Sequence, residues 1–340
     1  MQPRARLLPS TRTRQNEVAE NVQESVVGVI DELEIIELDE VARCACTLDD
    51  GNFATGFDSG EVRVYGCDGV VIFSAALGSR TVDVVGIGDS LVAGSSIAGV
   101  RAFHNQPLWE HPLESGCEAL ASSSFGVVVA DGSGRLVAIS EDGSETAQAE
   151  FGHVTLLVCS PEGVCAAALE DGRLLLLGPD LAVLHDSPAA EDDVETVSCL
   201  AFRPDGTLLA ARNSLGMTVD ERPENRLECW HPEAGLLNVS ELPSVATSLL
   251  PTESGALVGC FDGSILSCEV GEPDHSPIAR LDYQVSGIVQ WGPDILVASW
   301  FDVFRITPDG EVVWHYEHIG VVECILDLGE RAALIGDDRK

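Results

Sequence analysis

From Val41 onward the chain alternates short apolar runs with tight polar turns, most clearly across 51–69. There an apolar run enters and Phe57-Asp58-Ser59-Gly60 reverses it. Val62, Val64 and Tyr65 then alternate with polar residues until Cys67-Asp68-Gly69 turns the chain again. Period-two alternation bounded by Asp and Gly predicts a β-hairpin with the next turn attached, because short hairpin loops need backbone angles that these residues adopt at little cost. Copies recur at Leu91 to Gly94 with Val100 to Phe103, at Asp131-Gly132-Ser133-Gly134 with Glu141-Asp142-Gly143, and at Ser160-Pro161-Glu162-Gly163 with Glu170-Asp171-Gly172. Arg203-Pro204-Asp205-Gly206 carries the same surface-turn chemistry. Gly60, Gly99, Gly134 and Gly172 are spaced by 39, 35 and 38 residues, Gly263 follows after 91, and Asp302 after a further 39.

Units of four short strands at a repeat of this length predict an all-β fold, a β-propeller whose blades bury their faces against one another. Seven whole units run over 43–75, 82–111, 117–149, 154–185, 197–241, 246–281 and 288–316. After them, 321–328 and 331–335 supply only two strands, while 26–30 and 33–38 are two strands that precede the first unit without partners of their own. The expectation is that the N-terminal pair completes the C-terminal blade and closes a ring of eight, with seven blades as the other count if one unit is mis-read. Residues 1–22 read as a disordered tail, and 23–340 as a single propeller domain.

Trp314 follows Gly310 by four residues, as Phe73 follows Gly69. This resembles the Gly-x-x-x-Trp outer-strand pattern of PQQ-like repeats, and over about 25–337 the chain is similar to the PQQ-like and WD40-like repeat propellers. Most units lack that Trp, and the Gly-His and Trp-Asp pairing of true WD40 repeats is absent. The resemblance implies architecture; function has to be argued from a site. Quinoprotein dehydrogenases of this shape hold calcium and quinone in a central funnel and are exported, and neither an export signal nor an adjacent-cysteine pair appears, so that activity is not carried over.

Composition changes the picture mainly through charge. The net charge is −37 and is dispersed along the chain, with one lysine, Lys340, against eighteen arginines. Dispersed carboxylates with little lysine are similar to proteins of haloarchaea, which work in molar salt, where a screening length of about 3 Å makes such self-repulsion tolerable. An acidic surface for a basic partner is the competing reading. Nucleic-acid binding is disfavoured, since the basic residues cluster only at Arg4, Arg6, Arg12 and Arg14. No apolar run of about 18 residues suggests a membrane span, and no secretion signal is read, so the expectation is a monomeric cytoplasmic protein. The eleven cysteines lie mostly within apolar runs and contain no Cys-x-x-Cys pair, which predicts buried thiols rather than a zinc or disulfide framework.

No catalytic set, cofactor motif or calcium loop assembles from the sequence, and the eight histidines sit singly at strand ends and turns. Two features rise above this background. An aromatic-acid pair recurs at inner-hairpin turns, Phe57-Asp58, Phe261-Asp262 and Trp300-Phe301-Asp302; either the rings are exposed on one face and surround the mouth of the central channel as a binding surface, or each packs under its own turn. An insertion over 212–225 carries Arg212, Asn213, Met217, Asp220 and Arg222 and should project from that same face. Together they predict a non-enzymatic scaffold with a protein partner. The other reading is a ligand- or metal-binding, even hydrolytic, propeller with Asp58, Asp262 and Asp302 around the central channel.

Overall fold

Runs such as Leu174–Leu177 and Gly126–Asp131 are buried along their whole length, which a sheet with one face in water cannot achieve. Stacking sheets face to face around a ring achieves it, because each inner strand then has a neighbour on both sides. The computed structural model describes residues 6–7, 34–49, 51–188, 195–214, 224–272, 275–318, 320–329 and 331–337. Among them, seven antiparallel sheets of four strands follow one another, at 42–76, 81–111, 117–150, 154–187, 195–242, 246–280 and 285–317. In each blade, strands consecutive in sequence are hydrogen-bonded neighbours. An eighth sheet has two strands, Val322–Asp327 and Ala332–Gly336.

The first strand of each blade packs beside the first strand of the next, so these strands are innermost. Val322–Asp327 takes the same place between Val285–Trp291 and Ala42–Thr47. Apolar clusters fill the gap between each consecutive pair of sheets. One example joins Ala166, Leu174 and Leu176 of blade 4 to Leu208, Ala210 and Trp230 of blade 5. Another joins Leu326 and Ile335 of the eighth sheet to Ala42, Phe53 and Tyr65 of blade 1.

A register shift recurs at one place in every innermost strand, from Ala42/Cys44 through Thr81/Asp83 to Val285/Gly287 and, in the eighth sheet, Val322/Cys324. Such a bulge increases the local twist. Its presence in the eighth sheet marks that sheet as a copy of the same unit.

Two expectations are corrected here. Glu34–Ile35 pairs with Arg6–Leu7 rather than with the C-terminal sheet, and the strand expected over 26–30 lies outside the described residues. The side chains of Ile36 and Leu38 nevertheless pack into the seam between the eighth sheet and blade 1. Cys159 and Cys165, directly opposite each other on adjacent strands of blade 4, are joined by a disulfide. Antiparallel pairing brings two side chains six residues apart together across a tight turn, which spacing rules for longer loops do not capture. The other described cysteines are free thiols.

Candidate functional site: the face of the inner-hairpin turns

In a four-stranded meander, the turns between second and third strands emerge on the same face as the connections from one blade to the next. That face carries the turns of the three aromatic-acid pairs. Its turns are closely fitted to the connections beside them. In blade 1 Gly60 adopts φ 83° and its carbonyl accepts a hydrogen bond from the Leu77 amide. A Cβ there would lie 2.1 Å from the Ser79 carbonyl oxygen, so glycine is required both by the left-handed backbone and by the close approach. Gly263 repeats this geometry with Leu281 in blade 6.

The three aromatic-acid pairs are not equivalent. Phe57 is the last residue of Phe53–Phe57, opposite Ala42. Its ring is fully buried beneath the turn, with the Arg63 guanidinium 4.6 Å from its centroid. Of the two expectations for these rings, packing under its own turn holds for Phe57, which is no part of an exposed surface. Phe261 lies one position later, beyond the end of Gly255–Cys260, and is 61% exposed. Trp300 and Phe301 form the whole of a two-residue turn, with Ser299 and Asp302 as the closing pair.

That last turn is unusual. Trp300 has φ 55°, in the left-handed region that such turns ordinarily give to Gly. Its carbonyl accepts from the Val322 amide at 2.8 Å, and the Phe301 carbonyl accepts from the His318 amide at 2.6 Å, so the backbone is pinned from the neighbouring connection. Tyr283 stands edge-on to Trp300 with centroids 4.7 Å apart, and Trp300 stacks on Phe301 at 5.5 Å with 13° between planes. The three rings remain 44%, 42% and 38% exposed respectively.

The carboxylates of the three aromatic-acid turns are already engaged. Asp58 accepts from Arg43 Nη2 at 2.6 Å, and that guanidinium holds its carboxyl below the usual carboxylate range. Asp262 accepts from the Ser264 amide at 3.1 Å and faces Arg280 at 3.3 Å. Asp302 meets His315 Nε2 at 2.6 Å. The three stand on separate blades, and among the described residues no group of three or more His, Cys, Asp or Glu is placed to hold a metal.

Arg212 is not on the surface either. Its side chain is buried in blade 5, where it donates to Glu228 Oε2 at 3.1 Å, Glu195 Oε2 at 3.3 Å, the Gly172 carbonyl at 2.9 Å and Ser187 Oγ at 2.9 Å. Arg226 bridges the same two glutamates at 2.8 Å and 2.5 Å, and Trp230 Nε1 donates to Glu228 at 2.9 Å. Two guanidinium groups and two carboxylates thus neutralise each other at the roots of 189–194 and 215–223. Asn213 donates to Thr196 Oγ1 at 3.0 Å. Met217, Asp220 and Arg222 lie outside the described residues. Sequence spacing could not have found this quartet, because Glu195, Arg212 and the Arg226–Glu228 pair lie on three different strands of blade 5 and meet only through the pairing of those strands; the only signal was Arg and Glu within otherwise apolar strands.

No protein-family model matches the sequence, and no curated protein matches it closely enough to be counted a relative. Solved structures match its fold. BamB from Moraxella catarrhalis is 18% identical with a TM-score of 0.70, covering 89% of this chain and 96% of that one. Sqt1 from Saccharomyces cerevisiae is 11% identical at 0.72, covering 89% and 95%. The WD40 domain of Neurospora crassa Pan2 is 13% identical at 0.57, covering 76% and 86%. At these identities the likeness establishes a propeller fold and leaves function to the site.

Proposed function

We propose that this protein is a non-enzymatic interaction scaffold that engages a protein partner through the face of its inner-hairpin turns. The observation that carries the reading is Trp300, a bulky exposed side chain held in a backbone conformation that costs about 1–2 kcal/mol for an L-residue and pinned there by two hydrogen bonds from the next connection. Strain maintained at an exposed aromatic points to use of that side chain. The competing reading, a metal or small molecule in the channel, is not favoured, because Asp58, Asp262 and Asp302 are each committed to a partner on their own blade.

The same reading takes the protein to be a PQQ-like, monomeric propeller of a high-salt cytoplasm, in keeping with the dispersed charge of −37. It also takes the chain just before Ala42 to cover the seam between the eighth sheet and blade 1, supported by the packing of Ile36 and Leu38 against the cluster that contains Leu326 and Ile335. The test is a quantitative comparison of proteins retained from a lysate at about 2 M KCl by wild type and by Trp300→Gly. A partner retained by the first and lost by the second is expected. Identical profiles would contradict the use of this face.

A further inference from the structure

The cluster of Tyr283, Trp300 and Phe301 sits in a particular electrostatic setting. The described turn segments 261–263, 280–284 and 299–302 carry three carboxylates, Asp262, Asp282 and Asp302, against one guanidinium, Arg280, 3.3 Å from Asp262, and the His315 imidazole of the next strand, 2.6 Å from Asp302. The negative faces of the aromatic rings add to this field. An anionic partner, whether nucleic acid or lipid surface, would meet repulsion from the cluster and from the net charge of −37. A neutral apolar partner would strip water from these carboxylates, of which Asp262 and Asp302 are paired with Arg280 and His315, and would offer no hydrogen bonds in its place.

We infer that the partner presents an arginine-bearing segment, whose guanidinium groups stack on Trp300 and its ring neighbours and reach the carboxylates around them. This rests on the scaffold reading above and names the chemistry of its partner. Guanidinium suits the geometry better than ammonium. It is planar, weakly hydrated and able to lie on a ring while its N–H groups bond sideways, whereas a lysine ammonium is a compact and strongly hydrated point charge. Salt sharpens the distinction. At molar salt the screening length is about 3 Å, so attraction between separated charges is nearly lost. Ring contact, being short-ranged and partly hydrophobic, persists.

Pinning matters for the same reason. The turn is held by the Val322 and His318 amides and the Trp300 ring is braced between Tyr283 and Phe301, so little conformational freedom remains to be lost on binding.

The experiment titrates full-length protein at about 2 M KCl with two synthetic peptides of equal charge and length, one built of Arg and Gly and the other of Lys and Gly, followed by calorimetry. The arginine peptide is expected to bind at least about tenfold more tightly than the lysine peptide, and at least about tenfold more tightly to wild type than to Trp300→Gly. Because glycine is the residue the turn prefers, that variant keeps the fold, and circular dichroism checks that it does. Equal binding of both peptides, or equal binding to both proteins, would overturn the inference. So would self-association of wild type that Trp300→Gly abolishes, since it would assign the face to a second copy of the chain. If neither peptide binds while Trp300→Gly still loses a partner from the lysate, the scaffold reading stands and the arginine inference falls. If the variant loses no partner either, both fall.

Discussion

Arg212 donates through Nε to Glu228 Oε2 at 3.1 Å, with both side chains closed off from solvent between blades 4 and 5. The pair is one edge of a neutral quartet with Glu195 and Arg226. Removing one member leaves a buried charge without its counterion, which costs far more than the pair itself contributes. Arg212→Ala is expected to lower unfolding free energy by about 3–5 kcal/mol in urea denaturation. Adding Glu228→Gln should recover part of that loss, because it removes one of the stranded charges. A loss below about 1 kcal/mol would fit a solvent-exposed pair instead.

Trp300→Gly separates strain from contact. The substitution relieves a left-handed φ of 55° but gives up the ring packing against Tyr283 and Phe301. Trp300→Ala gives up the same packing and keeps most of the strain. In thermal unfolding the glycine variant should therefore exceed the alanine variant by about 1 kcal/mol. Equal stability would mean that the turn does not hold the backbone as described.

Burial pushes the Cys46 thiol up to about 12 and those of Cys199, Cys268 and Cys324 to about 11. Cys67 is the one exposed free thiol among the described residues. Iodoacetamide on native protein at about pH 8, near the ordinary thiol value, should label Cys67 first and the others only on unfolding, as read by peptide mass spectrometry. The sign of the pH dependence follows. Between the ordinary thiol value and the raised folded values, the native state holds protons that the unfolded state has released. Stability is thus fully present below the ordinary value and declines as pH rises through about 9–11. Stability that rose over that window would contradict the burial of these thiols.

The four-stranded repeat and the turn face were legible because Gly60, Gly134 and Gly263 are required by backbone sign and close approach, so their spacing records the repeat directly. Phe57 shows where that legibility stops. Phe57-Asp58 and Phe261-Asp262 look alike, yet Phe57 aligns with Cys260 in the ladder, one place earlier than Phe261. A slip of one residue turns a side chain to the other face of a strand, so identical dipeptides became a core ring and an exposed one. Tyr283 was missed for the opposite reason: it lies on the connection between blades 6 and 7, outside any repeated motif, and only the packing of that connection brings it to Trp300. The Cys159–Cys165 pair was hidden because nothing in their spacing separates a cross-strand disulfide from two buried thiols.

The charge of −37 carries a prediction of its own. Screening falls from a length of about 3 Å at 1 M salt to well over 10 Å at 0.05 M, and carboxylates far outnumber their partners. The circular dichroism of the folded chain should be intact at about 3 M KCl and weaken in dilute buffer. An unchanged spectrum would contradict adaptation to high salt.

The most direct measurement of the central claim is oxidative footprinting of the captured complex against the free protein, read at individual side chains. Protection of Tyr283, Trp300 and Phe301 is predicted, with the exposed outer-edge residues Leu236, Leu237 and Val239 of blade 5 unchanged. Protection at that outer edge with Trp300 still reactive would contradict the assignment of the binding face.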